Sequence, residues 1–274
     1  MAIKRNDVRL NTDAHRPARD MFVERINAVC SREGWRPYEA LTHTIDAAFR
    51  SMRSTTLLFK PELLAANEAE YMKIVGRCRK PQESMGDIAA MLAAIVAALE
   101  AEPIDFIGPI FEELAASSHL GQFFTPYHLS RLMAELIIDD PQKMLAQAKR
   151  GFITLQEPAC GVGGMTLAAC AVLRERGINL ATQVHWTMVD VDYIAAAAAY
   201  IQTTLCGISA DVFHGNTLSL KTWLATPTLA AILHTRRVRY EPEAKLPPPP
   251  PPGAPRRKPV QLSLFAEETI DAAV

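Results

Sequence analysis

The residues with the clearest chemical promise are Glu157-Pro158-Ala159-Cys160-Gly161-Val162-Gly163-Gly164, an acid leading into a glycine-rich turn. The turn follows the apolar run FITLQ and precedes an Ala-rich stretch, so it predicts a strand that ends, bends and opens a helix. Glycines at such a place let the backbone approach a ligand held at the helix N-terminus. Spacing alone leaves open a bound nucleoside cofactor, a dinucleotide, or close packing of helix on strand with no ligand. The next predicted strand, VHWTMV, ends at Val189-Asp190-Val191-Asp192. A nucleotide fold places a carboxylate there to accept from ribose hydroxyls, and Asp190 suits that role, while Asp192 also suits capping of a helix from Tyr193. The third strand, DVFHG, ends at His214-Gly215-Asn216-Thr217, where Asn216 either pairs with an adenine edge or shapes a turn.

These positions need a scaffold. From Asp20 to Ser117 apolar residues recur at spacings of three and four, as in Ile45, Phe49 and Met52 and in Met91, Leu92, Ile95, Val96 and Leu99, which predicts a helical bundle. Pro61, Pro81 and Pro103 stand where helices are expected to start or stop. After Gly151 short apolar runs alternate with helical stretches, and LSLKTWL is expected as the helix after the third strand. That βαβαβ order predicts parallel strands with ligands beyond their C-terminal ends. The expected organisation is a flexible N-terminus over 1–19, a helical domain over 20–118, an α/β domain over 119–235 and a tail over 236–274. In the tail, Pro247 to Pro252 predict an extended disordered linker of roughly 19 Å, at about 3.1 Å per residue.

Composition sets outer bounds. With 49% hydrophobic and 22% charged residues over 274 positions, the chain has a globular composition and enough length for one large core or two modest ones. A net charge of -1 gives no general attraction to nucleic acid, so DNA affinity requires a local basic surface. Arg236, Arg237 and Arg239, with Arg256, Arg257 and Lys258, are the densest basic clusters and read as solvated linker charge or phosphate contacts. The cysteines, Cys30, Cys78, Cys160, Cys170 and Cys206, form no C-x-x-C, which predicts reduced thiols and no metal site. A first segment without an apolar run, and no uninterrupted apolar stretch of membrane-spanning length, predict a cytoplasmic protein without membrane association.

The run DFIGPIFEELAASSHLGQFFTPYHLSRLMAEL followed by EPACGVGGM resembles the modification subunits of type I restriction-modification systems and related adenine-N6 DNA methyltransferases, over about Asp105 to Leu218. The resemblance implies a class I, Rossmann-like fold after the helical bundle, with S-adenosylmethionine as cofactor. It also implies DNA as substrate and a specificity or catalytic partner subunit. By position it places Gln122, Phe123, Phe124, Thr125 and Pro126 beside the cofactor. Glu157, Ala159, Gly161 and Gly163 cradle its methionine part, Asp190 its ribose and Asn216 its adenine, where the family more often has Asp. Aromatic walls at Phe123 or Phe124 suit a sulfonium or an adenine face; the alternative for both is ordinary core packing. A nicotinamide-dependent oxidoreductase would share the glycine turn but not the FFTP segment.

One expected motif is missing. Adenine methylation needs an (Asp/Asn)-Pro-Pro-(Tyr/Phe) turn, because the delocalised exocyclic nitrogen must have its hydrogens accepted while an aromatic ring stacks on the flipped base. No Asn precedes a proline, and the one Asp-Pro, Asp140-Pro141, lies upstream of the glycine turn. Thr226 and Pro227, in Leu224-Ala225-Thr226-Pro227-Thr228, form a poor substitute, since no aromatic residue follows. So few residues separate Asn216 from the tail that a truncated sheet is expected. These features support either a methyltransferase completed by a partner or a non-catalytic accessory protein. Finally, Gln261-Leu262-Ser263-Leu264-Phe265 resembles the pentapeptide that docks bacterial proteins on the replication sliding clamp. Leu264 and Phe265 would fill an apolar pocket and Gln261 would fix orientation, or a short helix would fold back on the core and bury Leu262, Leu264 and Phe265.

Overall fold

Prolines set the starts of the first helices in the computed structural model, which describes residues 2–4, 7–116, 125–148 and 150–234. Helices α2 (Pro37–Ser54), α3 (Pro61–Arg77) and α4 (Pro81–Ala101) each begin on one, and α1 (Arg16–Glu33) has Pro17 in its first turn. A first-turn proline forfeits no helical hydrogen bond, and its fixed φ matches the helix. Pro103 lies between α4 and α5 (Ile107–Ala116). Helix α1 stops at Gly34, whose φ of 76° closes the helix in the left-handed region. Buried Glu33 ties the end of α1 to the start of α4, accepting from the Arg79 and Lys80 amides and the Ser84 hydroxyl. Among the described residues α4 is the helix long and apolar enough to cross a membrane. Here it packs on α1, with Ile88, Met91, Ile95 and Leu99 buried.

The second half alternates as expected. After α6 (Tyr127–Ile137) and α7 (Pro141–Gln147) come β1 (Ile153–Glu157), α8 (Gly164–Glu175), β2 (Val184–Asp190), α9 (Tyr193–Leu205) and β3 (Ala210–Asn216). Strands β1, β2 and β3 pair in parallel in that order. Right-handed crossovers running one way along the sheet put α8 and α9 on the same face. Asp140 caps α7 by accepting from the Lys143 amide, a structural role for that Asp-Pro pair.

The segment after β3 corrects the sequence reading. LSLKTWL is not helical: Lys221–Pro227 form β4, antiparallel to β3, and α10 (Leu229–His234) follows. The Asn216 side-chain oxygen accepts from the Leu218 and Ser219 amides, and Leu220 adopts a φ of 56°. That tight reversal returns the chain along β3, and Thr222, Trp223 and Thr226 are residue types suited to a pleated strand. The sheet is therefore short, with four strands among the described residues.

One core joins the helical half to the sheet, rather than two modest ones. Phe49 of α2 stands edge-on to Tyr193 and Tyr200 of α9, and the Tyr193 hydroxyl donates to Asp46 at 2.6 Å. Deeper in, the fully buried Gln202 of α9 makes four hydrogen bonds. Its oxygen accepts from the Phe106 and Ile107 amides at the start of α5, and its nitrogen donates to Asp105 and to the Val162 carbonyl in the glycine turn. All five cysteines are free thiols, and Cys78, Cys160 and Cys170 are buried. Replacing Gln202 by Leu keeps comparable bulk but leaves two amides, a carboxyl group and a carbonyl without this partner. Urea unfolding should show a loss of about 3 kcal/mol or more, against about 1 kcal/mol or less for a surface control such as Glu62→Gln.

Candidate functional site

The crevice is built at the C-terminal ends of β1, β2 and β3, where parallel sheets hold their ligands. Glu157 is the last residue of β1 and Asp190 the last of β2, two residues beyond Met188, the register partner of Glu157. The turn between β1 and α8 is tied down from both sides. The Cys160 amide donates to the Val189 carbonyl, the Gly161 amide to Asp190 at 2.7 Å, and the Gly163 amide to the Cys160 carbonyl. From just beyond the third strand, the Thr217 hydroxyl donates to the Pro158 carbonyl at 2.5 Å. Glu157, Ala159, Gly161, Gly163 and Asp190 thus meet at one turn, and Asn216 ends β3 one residue before Thr217.

Two glycines of the turn serve different masters. Gly163 has a φ of 94°, and a Cβ there would stand 3.4 Å from the Ala199 backbone, so it permits both the bend and the close approach of α9. A Cβ on Gly164 would meet the Asp105 carboxyl at 2.9 Å, so this glycine admits Asp105 rather than a ligand. Asp105 is buried, accepts from Gln202 and from the Gly108 amide, and is held above its usual carboxylate range by burial. Sequence reasoning passed over Asp105, Gln202 and Thr217. A signal existed for the first, which opens the DFIGP run; Gln202 was visible only as an amide inside an Ala-rich apolar helix.

Electrostatically the crevice is acidic. Glu157 is buried, one of its carboxylate oxygens has no hydrogen-bond partner, and its pKa is pushed up to about 7. Burial is the main cause, opposed by the Ala159 amide and reinforced by the neighbouring charge of Asp190. Asp190 is itself raised, mainly by burial, although it accepts from the Gly161 and Asp192 amides. Asp192 has the other role read for it: it caps α9 through the Ala195 amide. Asn216 uses its oxygen to hold the turn into β4.

Other positions stand apart. Thr125 and Pro126 are exposed at the start of α6, and Gln122, Phe123 and Phe124 lie outside the described residues. So do the tail positions Gln261, Leu262, Leu264 and Phe265. Thr226 and Pro227 are corrected as catalytic candidates, because they lie inside β4 rather than in a turn beyond a strand end. Thr226 is buried opposite Val212, low on β3 and away from the crevice, in a cavity lined by Phe49, Tyr193 and Leu224. No group of three or more potential metal ligands occurs among the described residues.

Residues 104–234 match the family model for N-6 DNA methylase. This segment, just under half of the chain, is similar to the N-6 DNA methylases. The match begins one residue before Asp105 and runs through α10, so α5, Asp105, the glycine turn and the short sheet all fall within the methylase segment. A similar solved structure is that of a Listeria monocytogenes protein named as a class I S-adenosylmethionine-dependent methyltransferase. It is 15% identical, with a TM-score of 0.41, over 72% of this chain and 52% of its own. The chain therefore spans about half the length of that protein. Comparison with curated proteins gives no match.

The protonation of Glu157 makes a stability prediction. Its folded pKa, about 7, lies above the ordinary value of 4.5. Below the ordinary value both states are protonated and its full contribution is present; as pH rises toward 7 the unfolded state alone ionises, and stability is lost. Glu157→Gln mimics the protonated form. It should unfold like the parent near pH 4.5 and be more stable by roughly 2–3 kcal/mol at pH 8, measured by urea titration at both pH values.

Proposed function

We propose that the methylase segment binds S-adenosylmethionine and, lacking an acceptor for the adenine amine, does not complete methyl transfer to DNA by itself. The observation that carries this reading is the buried carboxylate oxygen of Glu157, unpartnered beside a glycine turn at the ends of parallel strands. An ammonium group supplies what that oxygen lacks, and the amino-acid end of S-adenosylmethionine carries one. In this reading Asp190 accepts from the ribose hydroxyls and the side-chain amide of Asn216 meets the adenine edge. When bound, the cofactor supplies an electrophilic methyl group; the chain's residues hold and orient it. No Asn-Pro-Pro or Asp-Pro-Pro turn is present to accept the hydrogens of an adenine amine, and Thr226 is buried elsewhere.

In this reading the chain works on or near DNA in the cytoplasm, alongside a specificity or catalytic partner subunit. Calorimetry should detect binding of S-adenosylmethionine, weakened at least tenfold in Asp190→Ala. For the parent the affinity should rise with pH up to about 7, by as much as tenfold per pH unit, as Glu157 ionises; Glu157→Gln should flatten that profile. Tritiated methyl groups should not reach mixed-sequence DNA. Absence of binding would defeat the cofactor assignment, and transfer by the purified chain would defeat the claim of incompleteness.

The tail favours one addition. Gln261 to Phe265 follow a run of six prolines that separates them from the methylase segment, an arrangement suited to presenting a short peptide. In this reading it docks the chain on the bacterial sliding clamp, so that an accessory protein reaches replicating DNA without its own strong DNA affinity. Immobilised clamp should retain the full chain and lose Leu264→Ala/Phe265→Ala; equal retention of both proteins would remove the tail from the proposal.

A further inference from the structure

Strand β4 does not run evenly along β3. The register slips between His214 and Gly215, so Trp223 has no register partner on β3 and is the extra residue of a β-bulge. Gly215 makes the slip possible, since a Cβ there would stand 2.7 Å from the Lys221 carbonyl oxygen. A bulge re-aims a side chain, and here it lays the Trp223 ring against His214 with centroids 4.7 Å apart. His214 in turn meets Tyr193 at 5.5 Å, and Tyr193 meets the buried Phe49 at 5.9 Å. A file of rings thus runs from the core out to Trp223, which is 45% exposed.

The file ends at the rim of the crevice. His214 is the register partner of Asp190, and Lys221 is that of Asn216. Lys221 is exposed, its ammonium stands 6.0 Å from the centre of the Trp223 ring, and among the described residues no acid pairs with it. A ring left so open adds little to the core. What the bulge and Gly215 achieve is its presentation at the rim, beside a cation.

We infer that Trp223 and Lys221 form a contact for one nucleotide of a single-stranded nucleic acid, the base stacking on the indole and the phosphate meeting the ammonium. Every base has a π-face and every nucleotide a phosphate, so the pair holds a strand without reading its sequence. His214 and Tyr193 buttress the indole from behind, which lowers the entropy lost when a base stacks on it. A free nucleotide carries the same two groups, but an open platform encloses too little of it to retain it, whereas a strand adds the contacts of its neighbouring nucleotides. The contact lies outside the glycine turn and does not rest on a cofactor in the crevice.

Tryptophan fluorescence tests this on the full chain, with no S-adenosylmethionine added. Trp186 is fully buried and Trp35 is half-buried edge-on to His43, so a stacked base reports through Trp223. Short oligothymidylate should quench the emission. Trp223→Leu should abolish the quenching and weaken binding of a labelled strand, read by anisotropy, by about fivefold or more. Trp223→Phe, which keeps a ring, should bind more tightly than Trp223→Leu. Lys221→Gln should lower the slope of log affinity against log salt by about 0.7, the share of one phosphate on a single strand. Because Lys221 is exposed, that variant tests the site apart from any effect of Trp223→Leu on folding, which circular dichroism reads. An unquenched parent, binding unchanged in Trp223→Leu, or an unchanged salt slope in Lys221→Gln overturns the inference. Thymidine monophosphate that quenches at the same nucleotide concentration as the oligomer overturns the assignment to a strand.

Discussion

A single buried amide governs how the helical half and the sheet meet. Gln202 comes from the last turns of α9, a helix otherwise flush against its neighbours with alanines, and its two polar atoms reach two separate pieces of chain. Taking that amide out of water is tolerable only because each of its partners is in place. The constraint then spreads: Asp105 must lie under α8, so Gly108 and Gly164 can carry no side chain, and the glycine turn is held at a fixed height above the sheet. Position of the crevice and docking of the helices are one problem with one solution.

The crevice inherits its electrostatics from that closure. Glu157 and Asp190 are close and poorly hydrated, and both are raised in pKa by burial. Backbone amides of the turn satisfy Asp190, whereas one oxygen of Glu157 is left without a partner. An arrangement that costs stability above the ordinary carboxylate pKa is one in which a bound cation has much to offset. The antiparallel return of β4 has the opposite consequence for chemistry. By turning back along β3, the chain makes β4 the last strand on that side among the described residues and places Thr226 in the core instead of at the rim.

Much of this was legible in the amino-acid order. The switch from spacings of three and four to short apolar runs marked where helices gave way to βαβ units, and prolines marked the helix starts. The glycine turn, Glu157, Asp190 and Asn216 followed from where such strands must end, since local periodicity and turn chemistry act over a few residues and leave their trace in composition. The hairpin into β4 was missed because LSLKTWL has too few residues to separate a helical from a strand pattern, and the Asn216 turn that decides it is set by side-chain hydrogen bonding.

What the chain alone determined, then, is a set of local elements and the acid-and-glycine turn at their focus, because those depend on neighbours in sequence. Only the tertiary structure decided which glycines serve packing, that Asp105 and Gln202 join the two halves, and that Glu157 is buried with an idle oxygen. Each of these rests on groups brought together from far apart along the chain, 97 positions in the case of Asp105 and Gln202, and no local pattern records such a meeting.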